Sequence, residues 1–183
     1  MHRVSVVGAS GSGKSTFARR LADHLAIRHV ELDALYWGPG WTPRPHEHFV
    51  GDAGAAVAGD EWVIDGNYSV LQAAIWKRAD TVVWIDPPTP LVLARVYRRT
   101  LLRAIDQAEL WPGTGLRQPW TDALAPWKRD SIVRWSLQQR RSHPRRYGDA
   151  MSAPENAHLT FHRLRSRRDV EMFLGGTMRA QPA

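Results

Sequence analysis

Residues 8–16 read Gly8-Ala9-Ser10-Gly11-Ser12-Gly13-Lys14-Ser15-Thr16, with two glycines, a lysine and a hydroxyl at the spacing G-x-x-x-x-G-K-[ST]. The residue types account for the spacing. Glycines let successive backbone N–H groups turn toward one anion, and a helix starting nearby adds the positive end of its dipole. A polyphosphate is what such a loop holds. Gly8, Ser10, Gly11, Ser12, Gly13, Lys14, Ser15 and Thr16 are the candidate binding residues; the Lys14 ammonium would reach the β and γ phosphates and the Ser15 hydroxyl would take a place on Mg²⁺. The flanks agree with this. An apolar run at 3–7 reads as a buried strand, and Phe17, Leu21 and Leu25 recur at helical spacing behind the loop.

Other groups able to take part in phosphate chemistry lie further along. In open parallel sheets ligands sit at the carboxyl ends of the strands, and three predicted strands end in Asp33, Asp65 and Asp86. Carboxylates there can hold the waters of a triphosphate-bound Mg²⁺ or accept a proton from an attacking hydroxyl. Arg95, Arg99 and Arg103 follow at i, i+4 and i+8, one face of a helix with Arg98 at its edge. Guanidinium groups on that face would clamp a phosphate in transfer. Trp37 and Trp41 flank Gly38-Pro39-Gly40 just beyond Asp33, where they would stack on an acceptor or pin the loop. Trp62, Trp76 and Trp84 fall within predicted strands or helices as core residues, and His46-Glu47-His48 reads as surface rather than as a metal site.

The elements that must position these groups alternate in type. Strands are predicted at 3–7, 28–32, 61–65, 81–85 and 158–162, with helices at 47–59, 70–78, 91–105 and 121–141 between them. Thr89-Pro90 starts the third of those helices, and Ser166 with Asp169 forms a capping box for a last one. The alternation predicts a three-layer α/β fold with a five-stranded parallel sheet. Residues 107–120, punctuated by Pro and Gly, read as a mobile lid; residues 1–174 form one domain and 175–183 a frayed tail.

Composition sets outer bounds. The 183 residues carry a formal charge of +7, with a pI near 10.5, which calls for an anionic partner: nucleotide, nucleic acid or membrane surface. With no cysteine and no run long enough to span a bilayer, the expectation is a soluble cytoplasmic protein. The basic cluster 140–146, with Arg163, Arg165, Arg167 and Arg168, leaves a second reading open, an ATP-dependent nucleic-acid-binding regulator.

The phosphate loop, LDALYW at 32–37, VIDGNY at 63–68, the VVWIDPP strand end and the arginine-bearing helix together resemble the adenylate-kinase-related P-loop kinases. More narrowly they resemble the DNA topology modulation, or flagellar-regulator-type, proteins. The resemblance covers residues 3–174 and implies a nucleoside- and shikimate-kinase-like fold that moves the γ phosphate of Mg²⁺ATP to a small anionic or hydroxyl acceptor. It puts Gly8 to Thr16 on the ATP phosphates, Ser15 and Asp65 on Mg²⁺, Asp33 on the acceptor side, and Arg95 and Arg99 on the helix leading into a lid at 107–120; the residues themselves add Trp37, Trp41 and Asn67 as the acceptor's neighbourhood, and Lys14, Asp33, Arg95 and Arg99 as the candidate catalytic groups. In the nucleoside monophosphate kinases Ile-Asp-Gly continues into Phe-Pro-Arg; here it continues into Asn67-Tyr68, which removes one acceptor-side arginine.

Overall fold

The computed structural model describes residues 1–111, 113–124, 128 and 131–178. In chain order the elements are β1 (Arg3–Val7), α1 (Lys14–Leu25), β2 (His29–Glu31), α2 (Leu32–Tyr36), β3 (Trp37–Gly38), β4 (Thr42–Pro43), α3 (His46–Ala56), β5 (Trp62–Asp65), α4 (Ser69–Arg78), β6 (Thr81–Ile85), α5 (Thr89–Asp106), α6 (Trp120–Leu124), α7 (Ile132–Ser152), β7 (Thr160–Leu164) and α8 (Arg167–Met178). Five of the strands form a parallel sheet in the order β2-β5-β1-β6-β7, while β3 and β4 pair as a short antiparallel ribbon. Every residue of β5 and β6 is buried, as expected of central strands covered on both faces.

Two apolar cores, one on each face of the sheet, make the three layers. On one face Val4, Val6, Val63 and Val83 meet Phe17 and Leu21 of α1 and Leu174 of α8. On the other, Val30, Trp62, Ile64 and Trp84 meet Phe49 of α3, Ile75 and Trp76 of α4 and Tyr147 of α7. Trp62, Trp76 and Trp84 are core residues as the sequence predicts. Burying each such ring stabilises by roughly 1.5–3 kcal/mol, and the Trp76 indole N–H also donates to Ser5 Oγ at 3.2 Å.

Four element boundaries differ from expectation. β2 stops at Glu31, because Leu32 turns inward to full burial and starts α2; Asp33 therefore stands in the first turn of a short helix rather than at a strand end. Gly66 permits that corner: its φ is +147°, and a Cβ there would lie 2.8 Å from the Leu32 side chain. β7 lies two residues later than predicted, with Leu164 paired to Ile85 and buried in the α1-side core. The helix expected at 121–141 is two helices. Ser131 caps the second by accepting from Arg134 N–H at 3.1 Å, and α7 runs on through Pro144 to Ser152, carried by buried His143 and Tyr147. α8 continues through Gly175 and Gly176 to Met178; the remainder of the expected tail, 179–183, lies outside the described residues. Among the described residues no helix is long and apolar enough to cross a membrane.

Candidate active site

The loop after β1 folds by backbone requirements that only glycine meets cheaply. Gly13 caps α1 with φ 96°, and Gly11, at φ +80°, packs so closely on α5 that a Cβ would collide with the Val96 side chain and lie 2.8 Å from the Val92 carbonyl. α1 starts at Lys14, and the bond from Phe17 N–H to Gly13 O is 2.9 Å. The N–H groups of Lys14, Ser15 and Thr16 thus belong to the helix's first turn, where intrahelical acceptors are lacking. They make a donor set suited to phosphate oxygens.

Beside this cradle, Asp65 closes β5 and is 1 % exposed. Its Oδ1 accepts from Ser15 Oγ at 3.1 Å and its Oδ2 lies 3.0 Å from His29 Nε2. A hydroxyl and a carboxylate in contact are hard oxygen donors of the type Mg²⁺ takes while keeping most of its waters. Parallel pairing of β2 with β5 sets Glu31 directly across from Asp65. Burial, then Asp65 and Asp33, push the Glu31 carboxyl above the usual carboxylate range, against the pull of Lys14, and Trp111 reaches it with a hydrogen bond. Two residues on, Asp33 accepts from the Tyr68 hydroxyl at 2.8 Å. Burial and the Asp33 charge push the Tyr68 hydroxyl's pKa up, which keeps it protonated and donating. The Tyr68 ring in turn lines a groove of about 470 Å³ shared with Tyr36, Arg44, His46 and Phe49.

The arginine face of α5 does turn toward the loop. Arg95 Nη1 is 3.4 Å from Ser12 O, and Arg99 Nη2 donates to Ser10 Oγ at 2.8 Å. Burial, then Arg103, lower the Arg99 pKa to about 10, and Asp33 and Glu31 oppose the shift; the group remains cationic at neutral pH. Its neighbour Arg103 is lowered by burial as well and likewise senses Glu31 and Asp33.

From the other side α7 grips the loop. Ser136 Oγ donates to Ser10 O at 2.7 Å, and Gln139 Oε1 accepts from Ser10 N–H at 3.3 Å. With Arg99 on its hydroxyl, Ser10 has protein partners at all three polar groups, so its contribution to the loop is shape. Asn67 is in a similar position. Its Oδ1 accepts from Gly8 N–H at 3.0 Å and its Nδ2 donates to Gly8 O at 2.6 Å, so the amide expected on the acceptor side ties β5 to the loop instead. Tyr147 OH completes the tie, 3.3 Å from Asn67 Oδ1.

His143 lies buried on the same face of α7, with no hydrogen-bond partner for Nδ1 among the described residues. Burial, then Arg146, Arg140 and Lys14, lower its pKa to about 4. Above pH ~6.5 the imidazole is neutral in both folded and unfolded chains; below it the unfolded chain takes up a proton that the folded one refuses until about pH 4. Stability should therefore fall across this window, by up to about 1.4 kcal/mol per pH unit from this group. Urea midpoints at pH 7, 5.5 and 4.5 are expected to drop less steeply in His143→Leu than in the native protein. Equal slopes would remove His143 from the acid response.

Two expected features resolve differently. Asp86, expected with Asp65 at the rim, is buried and paired with Arg140 and with Arg163, whose guanidinium lies 4.1 Å from the Trp84 ring centroid. This cluster joins β6, β7 and α7, and it consumes two of the basic residues that suggested a nucleic-acid surface; Arg146, a third, reaches Gln72. Trp41 pins rather than lies open: its indole N–H donates to Arg117 O at 3.0 Å and its ring meets Trp111 edge-on at 6.2 Å. Trp37 sits edge-on between Tyr36 and Trp41. Of the segment expected at 107–120, the described residues 107–111 and 113–120 are joined by Leu110 N–H to Leu116 O at 2.8 Å, with Leu116 buried. They thus meet the β3–β4 ribbon over Glu31.

Sequence reasoning missed Glu31, His29, Tyr68 and Trp111. Alternation in β2 puts His29 and Glu31 on one side, the only local signal for them; their approach to Asp65 depends on a strand partner far along the chain.

No family model matches the chain. Over 98 residues it is 29% identical to the cytidylate kinase of Methylocella silvestris, an alignment covering 52% of this chain and 45% of that protein, so the match spans less than half the relative's length. In structure it is similar to the shikimate kinase from Acinetobacter baumannii in complex with shikimate, with a TM-score of 0.58 and 14% identity over 98% of this chain and 92% of that one. A gluconokinase from Sinorhizobium meliloti 1021 aligns with a TM-score of 0.52 and 14% identity, over 97% and 94% of the two chains. The fold is the three-layer α/β fold of kinase-type P-loop NTPases.

Proposed function

We propose that the protein is a cytoplasmic, ATP-dependent phosphotransferase of the adenylate-kinase-related P-loop type, allied to the DNA topology modulation group. One observation carries the reading: the loop's free helix-start donors face a Ser15–Asp65 pair on one side and the Arg95 and Arg99 guanidiniums on the other. Phosphate, divalent cation and transferring charge each have a matching group within one loop's reach. The match to a cytidylate kinase and the likeness to a shikimate kinase and a gluconokinase support it.

In this reading the loop and Lys14 bind the β and γ phosphates of ATP. Ser15 and Asp65 would hold Mg²⁺, which supplies charge neutralisation on the phosphate oxygens. Asp33, its Oδ1 fixed by Tyr68, orients an acceptor hydroxyl with its other oxygen and takes the proton. A bond forms from the acceptor's hydroxyl oxygen to the γ phosphorus, the bond from that phosphorus to the β–γ bridging oxygen breaks, and ADP leaves with the electron pair. Arg95 and Arg99 stabilise the charge in transit. The segment 107–120 closes the site against water.

The test is ADP release from Mg²⁺ATP across a panel of small metabolites. Acceptor-dependent release is expected; strong salt-dependent DNA binding without it would favour the nucleic-acid reading. Asp33→Asn should retain the Tyr68 contact and ATP binding while transfer falls by about 10²–10⁴-fold. Full transfer activity in that variant would remove Asp33 from the chemistry.

A further inference from the structure

Asp65 is held at both oxygens. Its Oδ1 accepts from Ser15 Oγ at 3.1 Å, and its Oδ2 lies 3.0 Å from His29 Nε2. An ionised carboxylate only accepts, so the imidazole carries its proton on Nε2 and His29 is the donor. The Asp65 side chain is 1 % exposed and that of His29 15 %, so water competes little for this bond. Ser15 belongs to α1 and His29 to β2, so two distant elements meet on one carboxylate of β5.

The three side chains form a chain with a direction. At one end the Ser15 hydroxyl gives its proton to Asp65, which leaves the lone pairs of its oxygen for a cation. At the other end His29 fixes Asp65 from behind. The fixing matters because the β2–β5 register sets Glu31 directly across from Asp65, and burial with the Asp65 charge pushes the Glu31 carboxyl upward. Carboxylates so placed repel, and the last torsion of an aspartate side chain is soft. The orientation of Asp65 therefore depends on its two donors. Val30, not His29, carries β2 into the apolar core, and no step of the transfer described above uses the imidazole.

We propose that His29 is a positioning residue for the divalent cation. By holding Asp65 Oδ2 it fixes the carboxylate that orients the Ser15 hydroxyl, and so sets how strongly Mg²⁺ adds to nucleotide binding. This rests on the phosphotransferase reading above. Ser15 and Asp65 suit Mg²⁺ as hard oxygen donors, and loss of a hydrogen-bond partner behind such a ligand typically costs about 10- to 100-fold in metal affinity. His29 touches neither cation nor nucleotide in this assignment; it acts through Asp65.

Variants at position 29 of the full chain test it. His29→Leu removes the donor. His29→Asn keeps a polar amide that ends a bond short of the imidazole Nε2, whereas His29→Gln puts an amide N–H as many bonds from Cβ as Nε2 is. The affinity of a nonhydrolysable ATP analogue is measured by calorimetry in excess EDTA and again in saturating Mg²⁺, and the ratio of the two is the cation's contribution. That ratio should fall about tenfold or more in His29→Leu and His29→Asn, with affinity in EDTA nearly native, and return close to native in His29→Gln. Should His29→Leu fail to fold with Asp65 Oδ2 unpaired, His29→Asn carries the comparison, because its amide can hold water in place of the lost bond. A His29 that only supports the fold would weaken analogue binding equally with and without Mg²⁺. That result, an unchanged ratio, or a ratio that falls as far in His29→Gln as in His29→Asn overturns the proposal and leaves the kinase reading intact. A native protein whose analogue binding is not strengthened by Mg²⁺ overturns the cation pair and this proposal with it. Failure of the native protein to bind the analogue at all overturns the phosphotransferase reading as well.

Discussion

Lys14→Ala is expected to lower ATP turnover by about 10³-fold or more and to weaken nucleotide binding, with melting temperature nearly unchanged. Lys14 begins α1 directly after the Gly13 cap, and its charge is felt by Glu31 on one side and His143 on the other. Among the described residues no carboxylate lies within ion-pair distance of it. The ammonium thus makes no salt bridge that the fold would miss, while a triphosphate would lose its most direct cation. Calorimetry with Mg²⁺ATP and coupled ADP release measure the two effects separately. A native protein that bound neither ATP nor GTP in the presence of Mg²⁺ would sink the assignment of the loop, and Lys14→Ala with native turnover would remove the lysine from it.

Arg99→Ala should cost a similar factor, on the order of 10³ in turnover, but with a much smaller loss of ATP affinity. The guanidinium is largely buried and bonded to Ser10 Oγ, and its neighbours on α5 are cationic. Burial and the neighbouring Arg103 charge make a positive charge there unfavourable in the free protein, and the cost is recovered when phosphate charge spreads over oxygens near Ser10. An interaction gained mainly in transfer affects turnover more than binding. The partner variant Arg99→Met separates this from a structural role: it should keep the packing, match or exceed native heat stability, and remain as inactive as Arg99→Ala. Equal losses in turnover and ATP affinity would reassign Arg99 to ground-state binding. Native turnover would leave it a structural contact to Ser10.

The contrast between Asp65 and Asp86 shows how far linear reading reaches. Both follow apolar strands, both are buried, and on sequence they are equivalent rim carboxylates. The fold gives one a serine hydroxyl and a histidine, and the other two arginines from α7 and β7. Nothing near Asp86 in sequence announces Arg163, because β7 reaches β6 only after α5, α6 and α7 have crossed over. Asn67 makes the same point at shorter range. Its place after Ile64-Asp65-Gly66 suggested an acceptor contact, whereas parallel pairing of β1 and β5 brings it level with Gly8, whose backbone it satisfies.

By itself the sequence determined whatever depends on short-range backbone physics and side-chain periodicity. Glycines 11 and 13 permit positive φ, which shapes the loop; apolar runs make the buried strands; i, i+4, i+8 spacing sets Arg95, Arg99 and Arg103 on one face. The alternation of strands with helices carried the three-layer architecture. Only the tertiary structure decided the partners. The register Glu31 against Asp65 put an unexpected carboxylate in the site, and inward rotation of Leu32 moved Asp33 from a strand end into a helix. α7, 126 and 129 residues from Ser10 at its two contacts, became the support of the phosphate loop. Such pairings are selected by how two distant surfaces pack, an energy that neither segment carries alone.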